Sequence, residues 1–460
     1  MGEIKRGTVV MCPRKEPTVL AKPARLPFRN ESQHSVFLLS LPVFIELSLQ
    51  MAIQFVDAIL LSRISDSAAG VVGVLSSFFS LLMMIFVSLS QAGNIKVTYA
   101  LGAGKHRRAE HLRWTVLAMN VVLSMVCASL VSTFGTHWLG RLYSFSSNQL
   151  LITSEYLGVA AWALVPQSIT LALTGFVRSE GRPFWTLPGS IVGNLVNAGL
   201  GYILVSKGHG VQAVAWSAIA GHLTMNAWNL FAAFSLMQIK ISIPRKLFMA
   251  CASSILKLFT PIALEPFAYQ ASQVLIGTIV ARLGIESLAA RTYSQSLIVF
   301  CLLWTIAMSH SVQYIVSIEL ARGNKRAAEQ SLKKSLRSSM MASCAFSLML
   351  ALMSSKILPF MSTNPIILQQ AEMLLWIAAV AECGRTSNIV VGSALKAAGD
   401  AHYPACVGLV FMVGVSVPLS AFLSLNLGLG LAGIGAAQGV DELMRGALNL
   451  RRWRSKYANS

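Results

Sequence analysis

The segment LGAGKHRRAEH (101–111) is repeated 219 residues further along the chain as LARGNKRAAEQ (320–330). Leucine, glycine, arginine, alanine and glutamate recur at the same positions of the two segments. Two more pairs of segments keep nearly the same separation: PVFIE (42–46) with PIALE (261–265), and RSEG (178–181) with KAAG (396–399). Because three matches in one register are difficult to explain by composition, the sequence predicts two copies of one structural unit.

The composition predicts that both copies lie in a membrane. Of the 460 residues, 55% are hydrophobic and 12% are charged, and the mean hydropathy is +0.62. A soluble domain carries about a quarter charged residues, whereas apolar runs of about 18 or more residues recur along this whole chain. Twelve spans are predicted, at about 36–61, 71–99, 114–138, 151–177, 184–206, 211–236, 254–281, 290–319, 336–358, 369–395, 402–424 and 429–449.

The basic residues predict the orientation. The net charge of +19 comes from short clusters between apolar runs, which follows the positive-inside rule and argues against a nucleic-acid partner. With the N-terminus inside, 29 of the 37 Lys and Arg fall in inner loops and tails. Six fall in outer loops: Arg63, Arg141, Lys207, Arg282, Arg291 and Lys356. The chain is therefore predicted to cross a bacterial inner membrane many times, with both termini in the cytoplasm.

Three regions follow from these patterns. Residues 1–35 are polar, rich in proline and contain seven Lys or Arg, and they are predicted to form a disordered basic cytoplasmic tail. Residues 36–240 are predicted to form an N-terminal six-helix lobe, and residues 241–460 a C-terminal six-helix lobe with a short cytoplasmic tail. The predicted fold is an all-α polytopic membrane protein with twelve transmembrane helices in two pseudo-symmetric lobes. Parallel repeats of this kind are typical of transporters with a binding cavity between the halves.

The sequence lacks the motifs of several other functions. The seven cysteines show no CxxC spacing, and no HExxH, GxSxG or P-loop lysine pattern is present. We therefore expect no enzyme activity, no metal site, no cofactor and no direct use of ATP. A channel would need a selectivity ring, which two pseudo-equivalent halves do not readily supply.

From about residue 36 to the end, the chain resembles the multidrug and toxic-compound extrusion (MATE) transporters. The segments that carry the resemblance are FVDAILLSRIS (55–65), LGAGKHRRAEH (101–111), KLFTPIALEP (257–266), ECGRTSNIVVGSALKAAGDAHYP (382–404) and VDELMRGALNLRRWRS (440–455). The resemblance implies a bundle of six plus six helices that exports organic substrates in exchange for protons or sodium.

The resemblance also maps family site residues onto this chain. The acidic residue of the first span corresponds to Asp57, and that of the seventh span to Glu265, about one turn earlier than in some members. A pair of polar residues in the fifth span corresponds to Asn197 and Gly201. Because Gly201 has no side chain to act as a ligand, half of that motif is missing, and Asn194 is the candidate substitute.

Carboxylates within spans are functional candidates because a charge there costs about 2.5–3.5 kcal/mol. A carboxylate in a low-dielectric cavity binds a proton readily, so Asp57 is predicted to exchange the coupling ion and attract a cation. The alternatives for Asp57 are an interfacial side chain that reaches water and a hydrogen bond that packs two helices together. Glu265 and its repeat partner Glu46 are interpreted either as coupling residues or as structural carboxylates where the lobes close.

The tenth span carries Glu382, Arg385 and Asn388 at i, i+3 and i+6, which makes Glu382 and Arg385 neighbours. Glu382 is the third predicted coupling carboxylate, since its protonation would release Arg385. The alternative is an ion pair that only makes the helix tolerable in lipid. The predicted substrate-binding residues are Gln54, Asn194, Asn197, Gln273, Arg385 and Asn388.

The predicted function is secondary antiport. A monomer in the lipid bilayer would export amphiphilic, often cationic, small molecules in exchange for H+ or Na+, with protons favoured because the fifth-span motif is incomplete. Two alternatives stay open: a flippase for lipid-linked precursors, and a dedicated exporter of a siderophore or other metabolite. The flippase ranks lower because it needs a basic cavity, and Arg385 is set against three carboxylates.

Overall fold

A computed structural model describes residues 35–143, 145–236 and 245–458. In these ranges the chain is almost entirely helical. Except for Ser35, the tail predicted over residues 1–35 lies outside the described residues. The helices are joined by connections that are mostly two to seven residues long.

Twelve long helices form the described part of the chain. Those of the N-terminal lobe are α1 (Ser35–Ser62), α2 (Asp66–Gly102), α3 (His106–Tyr143), α4 (Ser147–Ser179), α5 (Leu187–Ser206) and α6 (Gln212–Leu236). Those of the C-terminal lobe are α7 (Arg245–Arg282), α8 (Ile285–Ala321), α9 (Lys325–Ile357), α10 (Pro365–Ala397), α11 (His402–Asn426) and α12 (Gly430–Trp453). The twelve-helix, two-lobe prediction is confirmed.

Ten of these helices are long and apolar enough to cross a membrane; α6 and α12 fall short. Within α12, Asp441, Glu442 and Arg445 follow one another closely and lower its hydropathy. Both helices nevertheless pack inside the bundle, α6 against α4 and α5, and α12 against α10. Their polar residues therefore face neighbouring helices. Ionisable groups inside a membrane usually face the interior of the bundle in this way.

The repeated loops end their helices in the same way. Gly104 and Gly323 have left-handed backbone angles, with φ of 71° and 78°. The residue after each glycine donates its backbone N–H to the carbonyl five residues earlier, at 2.9 Å in both loops. This Schellman arrangement favours glycine because a Cβ is strained at positive φ. Helix termination therefore explains why the glycine recurs in both copies.

The loops that carry the repeats lie at one end of the bundle, which we call the basic end. It comprises the connections 103–105, 180–186, 322–324 and 398–401. The two copies touch here: a Cβ built on Gly102 would lie 2.9 Å from the backbone of Ile318. We call the opposite end of the bundle the open end.

The lobes share hydrophobic cores at the basic end. One cluster packs Val116 and Phe176 of the N-terminal lobe against Ile255 of α7. A second cluster joins Val36 of α1 to Val312 of α8. A hydrogen bond of 3.0 Å between the side chains of Gln91 and Gln313 also crosses the boundary. Closure at this end thus combines apolar packing with buried amide contacts.

Towards the open end, the cores of the described residues stay within single lobes. Two clusters belong to the N-terminal lobe and one to the C-terminal lobe; they are built around Leu60 and Val214, Leu75 and Leu157, and Ile279 and Leu431. Because no such cluster of the described residues joins the lobes here, we infer that a cleft between the lobes opens away from the basic loops.

Close packing of α10 on α12 organises the polar residues of the C-terminal lobe. A Cβ on Gly384 would lie 2.6 Å from the backbone nitrogen of Leu443, and one on Gly446 would lie 2.8 Å from the carbonyl oxygen of Gly384. Two glycines therefore let the backbones touch, as small residues do at many membrane helix contacts. This approach places the charged residues of α10 against those of α12.

Candidate functional site

Asp57 lies near the open end of α1, where the lobes diverge. Its Oδ1 atom is buried and has no hydrogen-bond partner among the described residues. The partly buried Tyr156 of α4 lies within electrostatic reach of this carboxylate. Gln54, one turn earlier on α1, is exposed. A buried carboxylate oxygen without a donor is unusual, and it provides a place for a proton or a small cation.

The two candidate asparagines of the fifth helix differ in their hydrogen bonding. The Asn197 side chain is buried, and its Oδ1 atom has no partner among the described residues. The Nδ2 group of Asn194 instead donates to the Ser190 carbonyl at 2.7 Å, within its own helix. A Cβ on Gly201 would lie 2.9 Å from Cδ1 of Leu60. A side chain at position 201 would therefore require the end of the Leu60 side chain to move, so α1 packs closely against the missing half of the fifth-span motif.

A polar cluster between α4 and α6 was missed in the sequence. The Thr170 hydroxyl donates to Oδ1 of Asn226 at 2.8 Å and lies 3.3 Å from Nδ1 of His222. Nδ2 of Asn226 donates to the carbonyl of Pro166 at 2.9 Å. The available signal was the spacing of His222 and Asn226, four residues apart and hence on one helix face.

In the C-terminal lobe, Glu382 is completely buried and makes the contact that its spacing predicts. Arg385 donates to the Glu382 carboxylate at 3.0 Å, and the Thr386 hydroxyl donates to it at 3.3 Å. The carboxylate is thus neutralised and hydrogen-bonded, as a buried charge must be. This geometry agrees with both interpretations of the pair, the switch and the structural one.

The last helix adds charges that the sequence did not place in the site. Glu442 of α12 accepts a hydrogen bond of 3.1 Å from Asn388 and an ion pair of 3.0 Å from Arg445. Arg445 also binds Asp441 at 2.8 Å, and Nε of Arg385 lies 4.0 Å from Glu442. Arg385 therefore faces two carboxylates, one on α10 and one on α12. The sequence does indicate the contacts of Arg445, which follows Asp441 by four residues and Glu442 by three, so its side chain neighbours both carboxylates on the helix surface.

Gln273 is hydrogen-bonded to Arg291, a residue that the orientation count assigned to an outer loop. Arg291 lies inside α8 and is buried. Its guanidinium donates to Oε1 of Gln273 on α7 at 2.7 Å. No carboxylate among the described residues forms an ion pair with it. Arg291 is therefore a buried cation whose partner is only a neutral amide.

Glu265 and Glu46 occupy equivalent ion pairs. Glu46 pairs with Arg178 at 2.6 Å, and Glu265 pairs with Lys396 at 2.6 Å. His310 of α8 lies within electrostatic reach of both cations. The four charged residues belong to the segments that repeat in the sequence. These pairs lie in the half of the bundle nearer the basic end, where the lobes meet.

The three predicted coupling carboxylates do not share one cluster. Asp57 lies in the N-terminal lobe towards the open end, Glu382 in the interior of the C-terminal lobe, and Glu265 in the pair with Lys396. Among the residues described, no group of three or more His, Cys, Asp and Glu side chains is arranged to hold a metal ion. The site thus consists of two separate polar regions, one in each lobe.

Comparison with known proteins gives a consistent set of matches. The sequence profile of the family described as MatE matches residues 42–203 and 261–422. An "Uncharacterized transporter YisQ" from Bacillus subtilis is 26% identical over 446 residues, covering 95% of this chain and 96% of that protein. A "Probable multidrug resistance protein NorM" from Synechococcus is 24% identical over 431 residues, covering 90% of this chain and 92% of that protein.

Solved structures match the fold. One described as the outward-facing conformation of a multidrug resistance MATE family transporter superimposes with a TM-score of 0.85 at 15% identity. The superposition covers 97% of this chain and 99% of that one. The profile covers both repeats, and the likeness in fold extends over nearly the whole chain.

Proposed function

Because the chain belongs to the MatE family, whose members are transporters and not enzymes, we propose that it exports amphiphilic, often cationic, small molecules in exchange for protons. The observation that carries this proposal is the buried, unpartnered oxygen of Asp57 near the open end. A carboxylate there binds either a proton or a cationic cargo, so each displaces the other. Such competition is the minimal requirement for exchange.

The orientation that we propose follows the charge distribution. The basic end faces the cytoplasm, so both termini lie inside and the cleft opens to the exterior. A proton that enters this cleft reaches Asp57 and discharges a bound cation. The lobes then rock about their shared cores near the basic end, and the chain works as a monomer in the inner membrane.

The C-terminal network has a separate role in this scheme. Arg385 is 3.0 Å from Glu382 and 4.0 Å from Glu442, so a small movement exchanges one partner for the other. Protonation or cargo binding at Glu382 would favour the contact with Glu442. We propose that this exchange shifts α10 against α12 during the change of access.

Dye uptake by everted membrane vesicles tests the proposal. With the vesicle interior acidified, we expect accumulation of rhodamine 123, a cationic amphiphile, inside the vesicles. A sodium gradient imposed without a pH difference should give no accumulation. Accumulation with sodium alone would replace protons by Na+ as the coupling ion, and none with either gradient would contradict cation export.

A second candidate cargo carries an anionic group, as lipid-linked precursors and many siderophores do. The observation in its favour is Arg291, buried and paired only with the neutral Gln273. The sequence count set Arg385 alone against three carboxylates. In the C-terminal lobe, Arg291 and Arg445 join Arg385 opposite Glu382, Asp441 and Glu442. An anionic group on the cargo would meet a cation that no carboxylate neutralises.

Replacing Arg291 with glutamine should reduce export of a carboxylate-bearing dye selectively. Rhodamine 110 has a free carboxyl group, and rhodamine 123 is its methyl ester, so the pair differs only in that group. Loss of a charge-assisted hydrogen bond costs about 1.5–3 kcal/mol, so uptake of rhodamine 110 should fall roughly tenfold or more. Uptake of rhodamine 123 should change little. Arg282→Gln, at the exposed end of α7, is the matched control. Equal losses for both dyes would remove this candidate.

A further inference from the structure

A groove lies on the outer surface of the C-terminal lobe near the basic end. It is formed between α9 and α12 and encloses about 370 Å³. Its lining includes Lys333, Leu336, Arg337, Met340, Leu450 and Arg454. The groove belongs to the other lobe from Asp57, and its Met340 contacts Ser387 of α10, next to Asn388 of the charged network.

The part of the groove nearest the basic end carries a net positive charge. Lys333, Arg337 and Arg454 are exposed there. Lys333 is neutralised by Glu329, at 2.5 Å. Arg337 and Arg454 form no ion pair with any of the described residues. Two guanidinium groups therefore face the groove without a counter-ion, a geometry suited to a phosphate.

Further from the basic end, the lining becomes apolar. Along α9, leucines alternate with Lys333 and Arg337, and beyond Arg337 the lining consists of methionine. On α12, Leu450 lies further from the basic end than Arg454. On both walls, therefore, only apolar residues line the groove beyond the last cation. A phospholipid changes in the same way, from a charged headgroup to an acyl chain.

The floor of the groove includes Trp453, which is 2% exposed. Its indole N–H is buried and has no acceptor among the described residues. Buried indole N–H groups usually find a hydrogen-bond partner. An oxygen acceptor from a bound headgroup or glycerol would provide one after a small rearrangement of the floor.

The charge of the groove is not required by the fold. In the N-terminal copy, the positions that correspond to Lys333 and Arg337 are Trp114 and Ala118. The repeat therefore builds the same helices without these cations. Positive charge in the connecting loops would satisfy the orientation rule without lining a groove.

We infer that this groove binds one anionic phospholipid, with its phosphate between Arg337 and Arg454 and an acyl chain along Leu336, Met340 and Leu450. Basic pockets between helices on the cytoplasmic side attract such headgroups. Leu332 and Trp453 of the groove also belong to the core cluster that joins α1 to α8. The bound lipid therefore stabilises the region where the two lobes meet, whatever cargo the protein transports.

Lipid titration of the purified full-length protein tests this inference. We expect phosphatidylglycerol to bind tightly enough to be retained in native mass spectrometry and to raise the melting temperature. Phosphatidylcholine with the same acyl chains should do neither. Arg337→Gln with Arg454→Gln should weaken retention of phosphatidylglycerol about tenfold or more, since each cation contributes to headgroup attraction. Both side chains are exposed, so this variant should fold.

Two controls separate the groove from general charge effects. Arg107→Gln with Arg108→Gln removes two exposed cations at the basic end of the N-terminal lobe and should retain the lipid preference. Arg337→Lys with Arg454→Lys keeps the charge and should retain it largely. The inference is overturned if the Arg107 and Arg108 control loses as much binding, or if phosphatidylcholine binds equally. It is also overturned if glycerol 3-phosphate alone stabilises as strongly, since the ligand would then be a soluble phosphate.

Discussion

Vesicles that contain the Asp57→Asn variant should lose dye accumulation driven by a pH gradient while the protein remains folded. Asparagine has nearly the shape of aspartate and fits the same space, but it neither binds nor releases a proton near neutral pH. The buried Oδ1 of Asp57 has no donor among the described residues, so the substitution breaks no hydrogen bond. The variant therefore removes the exchangeable site and little else.

The size of the effect follows from the driving force. A pH difference of about one unit stores about 1.4 kcal/mol per proton, which sustains roughly a tenfold dye gradient at one-for-one exchange. Without the coupling site, the variant should show an accumulation ratio of about one. Equilibration of dye down its own gradient is still allowed, so the fluorescence readout distinguishes uncoupled transport from an inactive protein.

Glu155→Gln provides the matched control for this result. Glu155 precedes Tyr156 on α4, the residue within electrostatic reach of Asp57, but the Glu155 side chain is exposed. Its neutralisation should leave pH-driven accumulation intact. Unchanged accumulation in the Asp57→Asn variant would show that the proton is exchanged elsewhere, with Glu382 as the next residue to neutralise.

The helices and the two-lobe architecture could be predicted from the sequence because they depend on local hydropathy and on the repeated segments. Hydropathy located the helices, and the repeated loops predicted that the two halves share one structure. The structure adds that Gly104 and Gly323 end their helices with positive φ. The register of the repeats also placed Glu46 and Glu265 at equivalent positions. Their pairing with Arg178 and Lys396 needed only that the repeated segments meet in space, which the sequence suggested but did not establish.

The charged network was harder to predict because it depends on contacts between distant helices. Glu382 and Arg385 are neighbours along one helix, so spacing alone predicted their contact. Glu442 and Arg445 reach them only because Gly384 lets α12 touch α10. Arg291 was misplaced for a related reason: a cation near a predicted span end resembles a loop residue until Gln273 of α7 is brought beside it.

Comparison of the two repeats distinguishes charged residues present in both copies from those present in only one. Glu46 and Glu265 correspond to each other and both form ion pairs near the basic end, as expected for residues that close the lobes. Asp57 corresponds instead to Ile276, and Glu382 to Leu164. The residues to which we assign coupling are thus those without a charged counterpart in the other copy, which supports testing them first.

Replacing Arg445 with methionine should destabilise the C-terminal lobe severely. The side chain is 3% exposed and binds both Asp441 and Glu442, whose side chains are 6% and 14% exposed. Removing one partner from a buried ion cluster leaves uncompensated charge and costs about 3–5 kcal/mol. Methionine retains the apolar stem, so the loss reports the charge. We expect a lower melting temperature and less monodisperse protein in size-exclusion chromatography.

A surface ion pair gives the contrasting control. Burial alone would raise the pKa of the Asp400 carboxyl, but hydrogen bonds from Arg452 and Lys456 hold that pKa below its ordinary value. Lys456 is 47% exposed, and Arg452 would remain to bind Asp400 after its removal. Lys456→Met should therefore change the melting temperature little, since exposed pairs contribute little to stability.

A rescue variant decides whether uncompensated charge causes the loss at Arg445. Converting Asp441 to Asn and Glu442 to Gln in the Arg445→Met background removes the two buried carboxylates together with their cation. Breaking a buried ion cluster is costly because it leaves uncompensated charge, and the triple variant leaves neutral amides instead, so part of the melting temperature should return. If the triple variant is as unstable as Arg445→Met, the shape of the arginine and its packing between α10 and α12 hold the lobe together. If Arg445→Met itself melts like the unsubstituted protein, the network does not stabilise the fold, and its retention in a membrane helix would then argue for transport.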